Sequence, residues 1–198
     1  MPELRSLVLA AVAIAALPLV GGGQPILFAS NDIRVVDTKR ERSLWLTFID
    51  GAARDIDGEW GTGGHVTVLR HATAADGESI YRDVVYRSVW RGIDARVSAA
   101  AKGLKYSFEV SPGADPRAIH LRYSGHDSIE LTDAGEIVLD SGSATVIDTK
   151  PVAYQHINGR TVSVPIRFVQ FDADVAFSVG EYDKTRPLLW SFEVYEKN

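Results

Sequence analysis

Aromatic residues and arginines are interleaved between residues 81 and 96. Tyr81, Tyr86 and Trp90 stand among several arginines, one of which is Arg91. An exposed ring beside a guanidinium can stack on a sugar or a nucleobase, so these four residues are candidates for ligand binding. A simpler interpretation is available, because alternate side chains of a strand point to opposite faces. The arginines would then form a solvated face and the rings would pack on the other.

Carboxylates and histidines with spacing suited to metal ligands occur just before this stretch. Asp55, Asp57 and Glu59 alternate beside glycines, and carboxylates spaced in this way can bind calcium, although the spacing is too short for an EF-hand loop. His65 and His71 lie six residues apart around a β-like run and could share a strand face. The simpler interpretations are a solvated acidic turn for the carboxylates and surface positions at strand ends for the histidines. We therefore predict no metal site and no cofactor.

The residue types used in hydrolysis are present without a recognisable pattern. Asp94, Asp115 and Asp183, with His120 or His156, can be arranged on paper as acid, base or triad members around a serine. The sequence has no Gly-x-Ser-x-Gly, no His-Glu-x-x-His and no phosphate-binding glycine loop. We predict that the protein is not an enzyme. An exported hydrolase stays open as a third hypothesis, which requires these carboxylates to converge in one cleft.

Composition limits the classes of partner. The 198 residues carry a net charge of -5, which does not favour binding to the phosphates of nucleic acid or to anionic lipid. The chain has no cysteine, which excludes a disulfide framework, a thiolate nucleophile, a Cys-ligated zinc and a lipoprotein anchor. We predict no nucleic-acid partner and a core that is stabilised by packing.

The N-terminal region is typical of an export signal. Residues 6–20 are almost all apolar, and such a run of about 15 residues fits a signal-peptide core better than a membrane span of roughly 20. Pro18 would end its helix, and glycines precede a cleavage point before Gln24. We predict a signal helix in residues 1–23 and a secreted, periplasmic or cell-surface location. One alternative is that the segment stays uncleaved and anchors the protein, in which case it would be the protein's one contact with a membrane. The other is that it forms a buried helix of a cytosolic domain.

Short β-like runs separated by glycine-containing turns dominate the chain after residue 30. The pattern predicts an all-β protein with antiparallel, sandwich-like sheets and short helical turns at residues 88–92 and 115–118. We divide it into two lobes, a β-rich first lobe in residues 24–126 and a hairpin-rich second lobe in residues 127–198. The predicted strands are residues 43–49, 65–70, 80–86, 94–98, 104–110, 119–123, 128–132, 136–140, 152–157, 160–168, 175–179 and 188–194.

Two hairpins are predicted from specific residues. The pair Asn158-Gly159 tolerates the positive φ angles of a type I′ turn. Pro165 cannot donate a ladder hydrogen bond, which puts its strand at a sheet edge or beside a bulge. The other hairpin turns at residues 133–135. Alternation places four of its apolar residues on one face: Ile129, Leu131, Ile137 and Leu139.

Several phrases from residue 85 onward occur in an order that resembles a known family. The phrases are Val85-Tyr86, Trp90-Arg91-Gly92-Ile93-Asp94, Leu104 to Val110 with Ser111-Pro112-Gly113-Ala114-Asp115-Pro116-Arg117-Ala118-Ile119, Pro151-Val152-Ala153-Tyr154-Gln155, Asn158-Gly159, Gly180-Glu181-Tyr182-Asp183 and Arg186-Pro187-Leu188. They resemble the β-rich N-terminal domain that precedes beta-propeller (SBBP) repeats in bacterial secreted and surface proteins.

The resemblance implies turn-forming and packing roles for these phrases, and it carries over no catalytic residue. Two departures are visible. Ser107 replaces a common Asp, and Trp190-Ser191-Phe192 replaces the usual Ile-Asp-Pro exit toward the repeats. The departures favour a free-standing version of the domain.

The sequence thus predicts a non-catalytic structural or adhesive binding module of the bacterial cell envelope. Its partner would be an unidentified envelope or extracellular molecule, with a glycan as one candidate. The alternative is a carbohydrate-binding or glycan-processing β-sandwich, which would use Tyr81, Tyr86, Trp90 and Arg91.

Overall fold

The computed structural model describes residues 12–15, 26–37, 42–59, 65–68, 83–100, 103–142 and 144–197. In these ranges the chain forms antiparallel strands and one 3-10 helix, Pro116–Ala118. In chain order the strands are β1 (Val12–Ala15), β2 (Ile26–Phe28), β3 (Asp32–Asp37), β4 (Arg42–Phe48), β5 (Asp55–Glu59), β6 (His65–Val68), β7 (Asp83–Trp90), β8 (Ile93–Ala99), β9 (Gly103–Val110), β10 (His120–Ser124), β11 (Ser128–Leu131), β12 (Ile137–Asp140), β13 (Thr145–Asp148), β14 (Val152–Ile157), β15 (Arg160–Val164), β16 (Ile166–Phe171), β17 (Asp174–Val179) and β18 (Leu188–Lys197).

Two antiparallel sheets pack face to face. The smaller sheet has the order β16-β17-β10-β4-β3-β2, and the larger has the order β11-β12-β13-β18-β9-β8-β7-β5. The hairpin β14–β15 pairs with the first half of β18, while β1 and β6 form a two-stranded sheet of their own. This architecture confirms the predicted all-β, antiparallel, sandwich-like fold.

Strands from both sides of residue 126 pair within each sheet. In the smaller sheet β10 pairs with β17, and in the larger sheet β9 pairs with β18 over its whole length. Residue 126 itself lies in the connection that carries the chain from β10 in one sheet to β11 in the other. The segments 24–126 and 127–198 therefore contribute strands to both sheets and to one hydrophobic core.

Aromatic rings fill the space between the sheets. Phe177 of the smaller sheet lies 5.9 Å from Phe108 and 5.4 Å from Trp190, both on the larger sheet, measured between ring centroids. Near the other side of the core, Phe48 meets the ring of Tyr86 edge-on at 5.3 Å. Because alternate strand residues face inward, each sheet supplies large rings to one shared layer.

One carboxyl group is buried in this apolar layer. Asp148 of β13 is fully buried, and the Tyr123 hydroxyl from the opposite sheet donates a hydrogen bond to its Oδ2. Burial raises the pKa of Asp148 to about 7, although the hydrogen bond from Tyr123 opposes this shift. Burial and the nearby Asp148 also raise the pKa of Tyr106. The two sheets are thus joined by a polar contact, and the burial of that contact favours the neutral carboxyl.

Local sequence signals were accurate at three turns. Asn158 and Gly159 have φ angles of 51° and 76°, which confirms the type I′ turn. Pro165 ends β15, and the chain then passes into β16 at the edge of the smaller sheet, as the missing donor predicted. Asp115 begins the 3-10 helix, and its Oδ1 accepts a hydrogen bond from the Arg117 amide at 3.0 Å.

Other predictions of local structure were wrong. Residues 88–92 form the end of β7 and a hairpin turn rather than a helical turn, because Ser88 adopts φ 50° in a bulge and its amide donates to Asp94 Oδ1 at 2.7 Å. The acidic stretch Asp55–Glu59 is strand β5 rather than a turn. Most of the predicted signal helix, residues 1–23, lies outside the described residues. Its one described segment, Val12–Ala15, is a strand that pairs with β6 rather than a helix.

We expect the stability of the wild type to fall as the pH rises from about 4 to about 7. The folded protein holds the Asp148 proton up to about pH 7, whereas the unfolded chain releases it near the usual pKa of 3.8. The folded state therefore binds more protons in this range, and the free energy of unfolding decreases by up to about 1.4 kcal/mol per pH unit, then levels off above pH 7. Urea denaturation at several pH values measures this slope.

Asp148→Asn should remove this contribution, since the amide stays neutral and keeps an acceptor for Tyr123. The exposed carboxyl of Asp140 provides the control, and Asp140→Asn should retain the wild-type slope. Equal pH profiles for the wild type and Asp148→Asn would contradict the assignment.

Candidate functional site

A groove of about 940 Å³ lies at one end of the smaller sheet. One wall is residues 113–117, which lead from β9 into the 3-10 helix, and the other is residues 177–182 with Lys184, at the end of β17. The amide of Gly113 donates to the Lys184 carbonyl at 3.1 Å and joins the two walls. The groove is thus formed by segments that are far apart in the sequence.

The first wall is shaped by turn residues. The Ala114 amide donates to the Ser111 carbonyl at 3.0 Å, and Gly113 between them has φ 77°. A Cβ on Gly92, in the turn between β7 and β8, would come within 3.0 Å of the Ala114 Cβ. This close approach supports the wall from behind and accounts for a glycine at that position.

The second wall is held by a buried amide. Gln155 of β14 is 1% exposed, and its Nε2 donates to the Asp183 carbonyl at 2.9 Å, while its Oε1 accepts from the Asp183 amide at 2.9 Å. The same Nε2 lies 3.2 Å from the Pro187 carbonyl. A single side chain therefore satisfies backbone groups on both sides of the loop and fixes its path.

The base of the second wall rests on Pro165. The Gly180 amide donates to the Pro165 carbonyl at 2.8 Å, and a Cβ on Gly180 would lie 3.0 Å from the Pro165 ring. The corner at which the chain changes sheets is therefore packed directly against the groove.

The groove combines an apolar floor with a polar rim. Phe177 reaches it from the core, and Tyr182 is half-buried at its side. Burial is the larger cause that raises the pKa of Tyr182, and the charge of Asp115 is the smaller one. The Tyr182 hydroxyl therefore remains a hydrogen-bond donor at neutral pH. The Arg117 guanidinium binds both oxygens of Asp115, with Nη2 2.8 Å from Oδ2, and these hydrogen bonds lower the pKa of Asp115.

These dimensions and groups suit the binding of a ligand. Small-molecule sites have volumes of about 300–1,000 Å³ with an apolar lining and a few polar groups that fix orientation. A ring of Tyr182, a paired carboxylate and an exposed Lys184 ammonium supply stacking, acceptor and donor groups. The groove therefore offers shape, a stacking ring and hydrogen-bonding groups to a ligand.

Comparison with known families assigns the chain. The family described as "Domain of unknown function (DUF7948)" matches residues 36–189. The chain belongs to the DUF7948 family. The DUF7948 match runs from within β3 to the start of β18, and so includes both groove walls and Gln155. No curated protein and no solved structure matches the chain.

Two of the aromatic residues proposed from sequence lie in the core of this DUF7948 domain. Tyr86 is 0% exposed, and Trp90 is 6% exposed with its Nε1 donating to the Ile49 carbonyl at 2.9 Å. Both rings are therefore closed to a ligand in solution. Arg91 is exposed in the hairpin turn, and Tyr81 lies outside the described residues.

The carboxylates considered for catalysis each have local partners in the DUF7948 domain. Asp94 pairs with Arg87 at 3.0 Å on the outer face of the larger sheet, and Asp183 accepts from the Thr185 hydroxyl at 2.6 Å. Of the three carboxylates considered, Asp115 alone lines the groove. His156 lies 3.3 Å from the Thr161 hydroxyl on the exposed hairpin. The described residues do not bring these groups into one cleft.

Metal-ligating residues do not cluster in the described part of the DUF7948 domain. Within those residues no group of three or more histidines, aspartates or glutamates could hold an ion. Asp57 instead lies 3.5 Å from the Arg87 guanidinium across strands β5 and β7. His71 lies outside the described ranges.

In the part of the chain that the structure describes, no helix has the length and apolar character needed to cross a membrane.

Sequence reasoning missed two features of the DUF7948 domain. The sequence predicted no specific role for Gln155, because no local signal shows that a glutamine will be buried against a distant loop. Trp45 was passed over, although Leu44, Leu46 and Phe48 alternate toward the core and place Trp45 on the outer face. That alternation was a readable signal for an exposed ring.

Replacing Gln155 should release the loop that forms the second wall. In Gln155→Met the side chain keeps its length but leaves the Asp183 amide and carbonyl without partners, which should lower stability by roughly 1–3 kcal/mol. We expect faster amide hydrogen exchange in residues 181–187 than in the wild type. Gln170→Met is the control, because Gln170 donates to backbone carbonyls far from the groove. Unchanged exchange in residues 181–187 of Gln155→Met would contradict this role.

Proposed function

We propose that the chain is an exported, non-catalytic binding module of the bacterial cell envelope, and that its groove holds the ligand. The observation that carries this proposal is the groove itself, whose two walls come from distant segments and are fixed by Gln155 and by the contact between Gly113 and Lys184. A preformed groove of this size lowers the entropic cost of binding.

The state of Asp115 and Tyr182 supports binding rather than turnover. A general acid or base works best with a pKa near the working pH and with a proton free to move. The Arg117 guanidinium instead lowers the pKa of Asp115, and burial raises the pKa of Tyr182 away from neutrality. Both groups then present fixed hydrogen-bonding partners to a ligand.

The N-terminal sequence supports export. The apolar run at residues 6–20 has the length of a signal-peptide core. We place the module in the periplasm, on the cell surface or outside the cell.

The resemblance to domains ahead of beta-propeller repeats suggests a structural setting. We propose that modules of this kind present their groove beside such a propeller. In this chain Trp190 and Phe192 are core residues in the middle of β18. An attached propeller would therefore follow the end of β18 rather than replace any part of it.

Export is tested by fusing alkaline phosphatase, which needs disulfides formed outside the cytosol, to the end of the full chain. We expect an active fusion. Leu9→Arg should abolish the activity, because an arginine inside an apolar segment costs roughly 2.5–3.5 kcal/mol during membrane insertion. Leu9→Ile, which keeps the segment apolar, is the matched control and should stay active. An inactive wild-type fusion would remove the basis for the proposed location.

Binding in the groove is tested by probing glycan and short-peptide arrays with the purified full chain. We expect a bound class of ligand whose affinity decreases about five- to thirtyfold in Tyr182→Ala, since loss of one stacking ring and its hydroxyl removes about 1–2 kcal/mol. Tyr154→Ala removes a similarly half-buried tyrosine from outside the groove and should bind as the wild type does. No signal on either array, or a signal that Tyr182→Ala leaves unchanged, would refute groove binding.

A further inference from the structure

The outer face of the smaller sheet carries an exposed indole next to two ion pairs. Trp45 of β4 is 37% exposed, and the Arg34 guanidinium lies 3.7 Å from the centroid of its ring. Arg34 and Trp45 are directly opposite each other on β3 and β4. We call Arg34, Trp45 and the pair Arg122–Asp174 the Trp45 platform.

The indole of the platform is fixed in position. The Arg34 Nε lies 2.8 Å from Asp32 Oδ1, and the side chains of Arg34 and Asp32 are only 19% and 11% exposed. Because the guanidinium is mostly covered while the indole remains exposed, the ring lies over the guanidinium and presents its other face to solvent. A ring held in this way loses little freedom when a ligand stacks on it.

Polar groups surround the indole at regular sheet positions. Thr47 lies opposite both Asp32 and Arg122, and Ser124 lies opposite Trp45. Arg122 binds Asp174 with both ends of its guanidinium, at 2.5 and 2.7 Å. From the register, Arg122 is a diagonal neighbour of Trp45, at roughly 7–8 Å between their Cα atoms.

A second exposed ring lies on the same outer face. Phe171 of β16 is 65% exposed and is directly opposite Asp174 on β17. Trp45 and Phe171 are three strand spacings apart and offset by two residues along the strands, which corresponds to roughly 16 Å between their backbones. The Arg122–Asp174 pair lies between the strands that carry the two rings.

The charges of this surface select the class of ligand. Arg34 is paired with Asp32 and Arg122 with Asp174, so the two arginines are neutralised and phosphates are not attracted. A sugar ring has an apolar face of C–H groups for stacking and hydroxyls that bond to carboxylates and guanidinium groups. A single sugar would reach one ring, whereas a chain of sugars could reach both.

We propose that the Trp45 platform binds a neutral polysaccharide, with one sugar stacked on Trp45, another on Phe171, and hydroxyls bonded to Arg122 and Asp174. This names a ligand class for the proposed binding module at a surface separate from the groove. The proposal rests on the proposed function only for the cellular location in which the protein meets its ligand. The binding itself is measured with purified protein and does not depend on that location.

The test is isothermal titration calorimetry of the full chain with cellohexaose, xylohexaose and the corresponding disaccharides. At least one hexasaccharide should bind, and its disaccharide should bind at least tenfold more weakly because it reaches only one ring. Trp45→Ala should weaken hexasaccharide binding at least tenfold, and Phe171→Ala should weaken it to a smaller degree. Trp45→Phe retains a stacking face and should remain within about threefold of the wild type.

Controls separate this proposal from the groove and from loss of folding. Val152→Ala removes an exposed apolar side chain from the larger sheet and should bind as the wild type does. Tyr154→Ala, outside both the groove and the platform, should also leave hexasaccharide affinity unchanged. Trp45→Ala should leave unchanged any array signal that depends on Tyr182, so that failure of the groove and failure of the platform give different results. The Trp45 and Phe171 variants should melt close to the wild-type temperature, because both side chains point away from the core.

Three results would overturn the proposal. They are the absence of binding to either hexasaccharide, equal affinity in the wild type and Trp45→Ala, and stronger binding to hexagalacturonate or to a single-stranded DNA decamer than to the neutral sugars. The last result would show that charge rather than stacking on a neutral surface determines the ligand.

Discussion

The packing of Phe177 against the aromatic residues of the larger sheet is the contact on which both the core and the groove depend. Its ring lies 5.9 Å from Phe108, 5.4 Å from Trp190 and 6.1 Å from Phe192, so one residue of the smaller sheet meets three of the larger. The same residue forms part of the groove floor. The position of β17, and therefore of the wall that follows it, is set by how these rings interlock.

The groove adds polar contacts to this aromatic frame. Gln155 can hold the loop around Asp183 only because β14 is paired with β18, whose inward residues include Trp190. Pro165 and Gly180 fit together only because the chain leaves the larger sheet beside the end of β17. The sheets beneath the loops thus determine the positions of the binding groups that the loops carry.

The sequence predicted features that depend on a few neighbouring residues. The turn at Asn158-Gly159 and the cap at Asp115 follow from backbone preferences that operate within four residues. The meeting of the groove walls could not be predicted in this way, because it depends on which strands pair. The burial of Asp148 was equally invisible, since an aspartate in the short strand β13 resembles any surface aspartate until Tyr123 is placed opposite it.

Alternation of apolar residues indicates which face of a strand is buried only where no bulge interrupts the strand. Trp90 and Trp45 both follow alternating patterns, yet Trp90 is 6% exposed and Trp45 is 37% exposed. The bulge at Ser88 adds to the difficulty, because it turns both Val89 and Trp90 toward the core. Of these two tryptophans, the one accessible to a ligand is therefore Trp45 on the outer face of β4, which lies outside the predicted binding stretch at residues 81–96.

The place of β18 in the larger sheet has a consequence for the timing of folding. This strand is the latest in the described sequence, yet it lies between β9 on one side and β13 and β14 on the other. Until residues 188–197 leave the ribosome, three strands lack their common neighbour and Phe177 lacks the ring of Trp190. Sheets assembled from such distant segments form slowly. A growing chain of this kind stays open and threadable until β18 has been synthesised, and an unfolded, threadable chain is what any machinery that moves unfolded polypeptides requires.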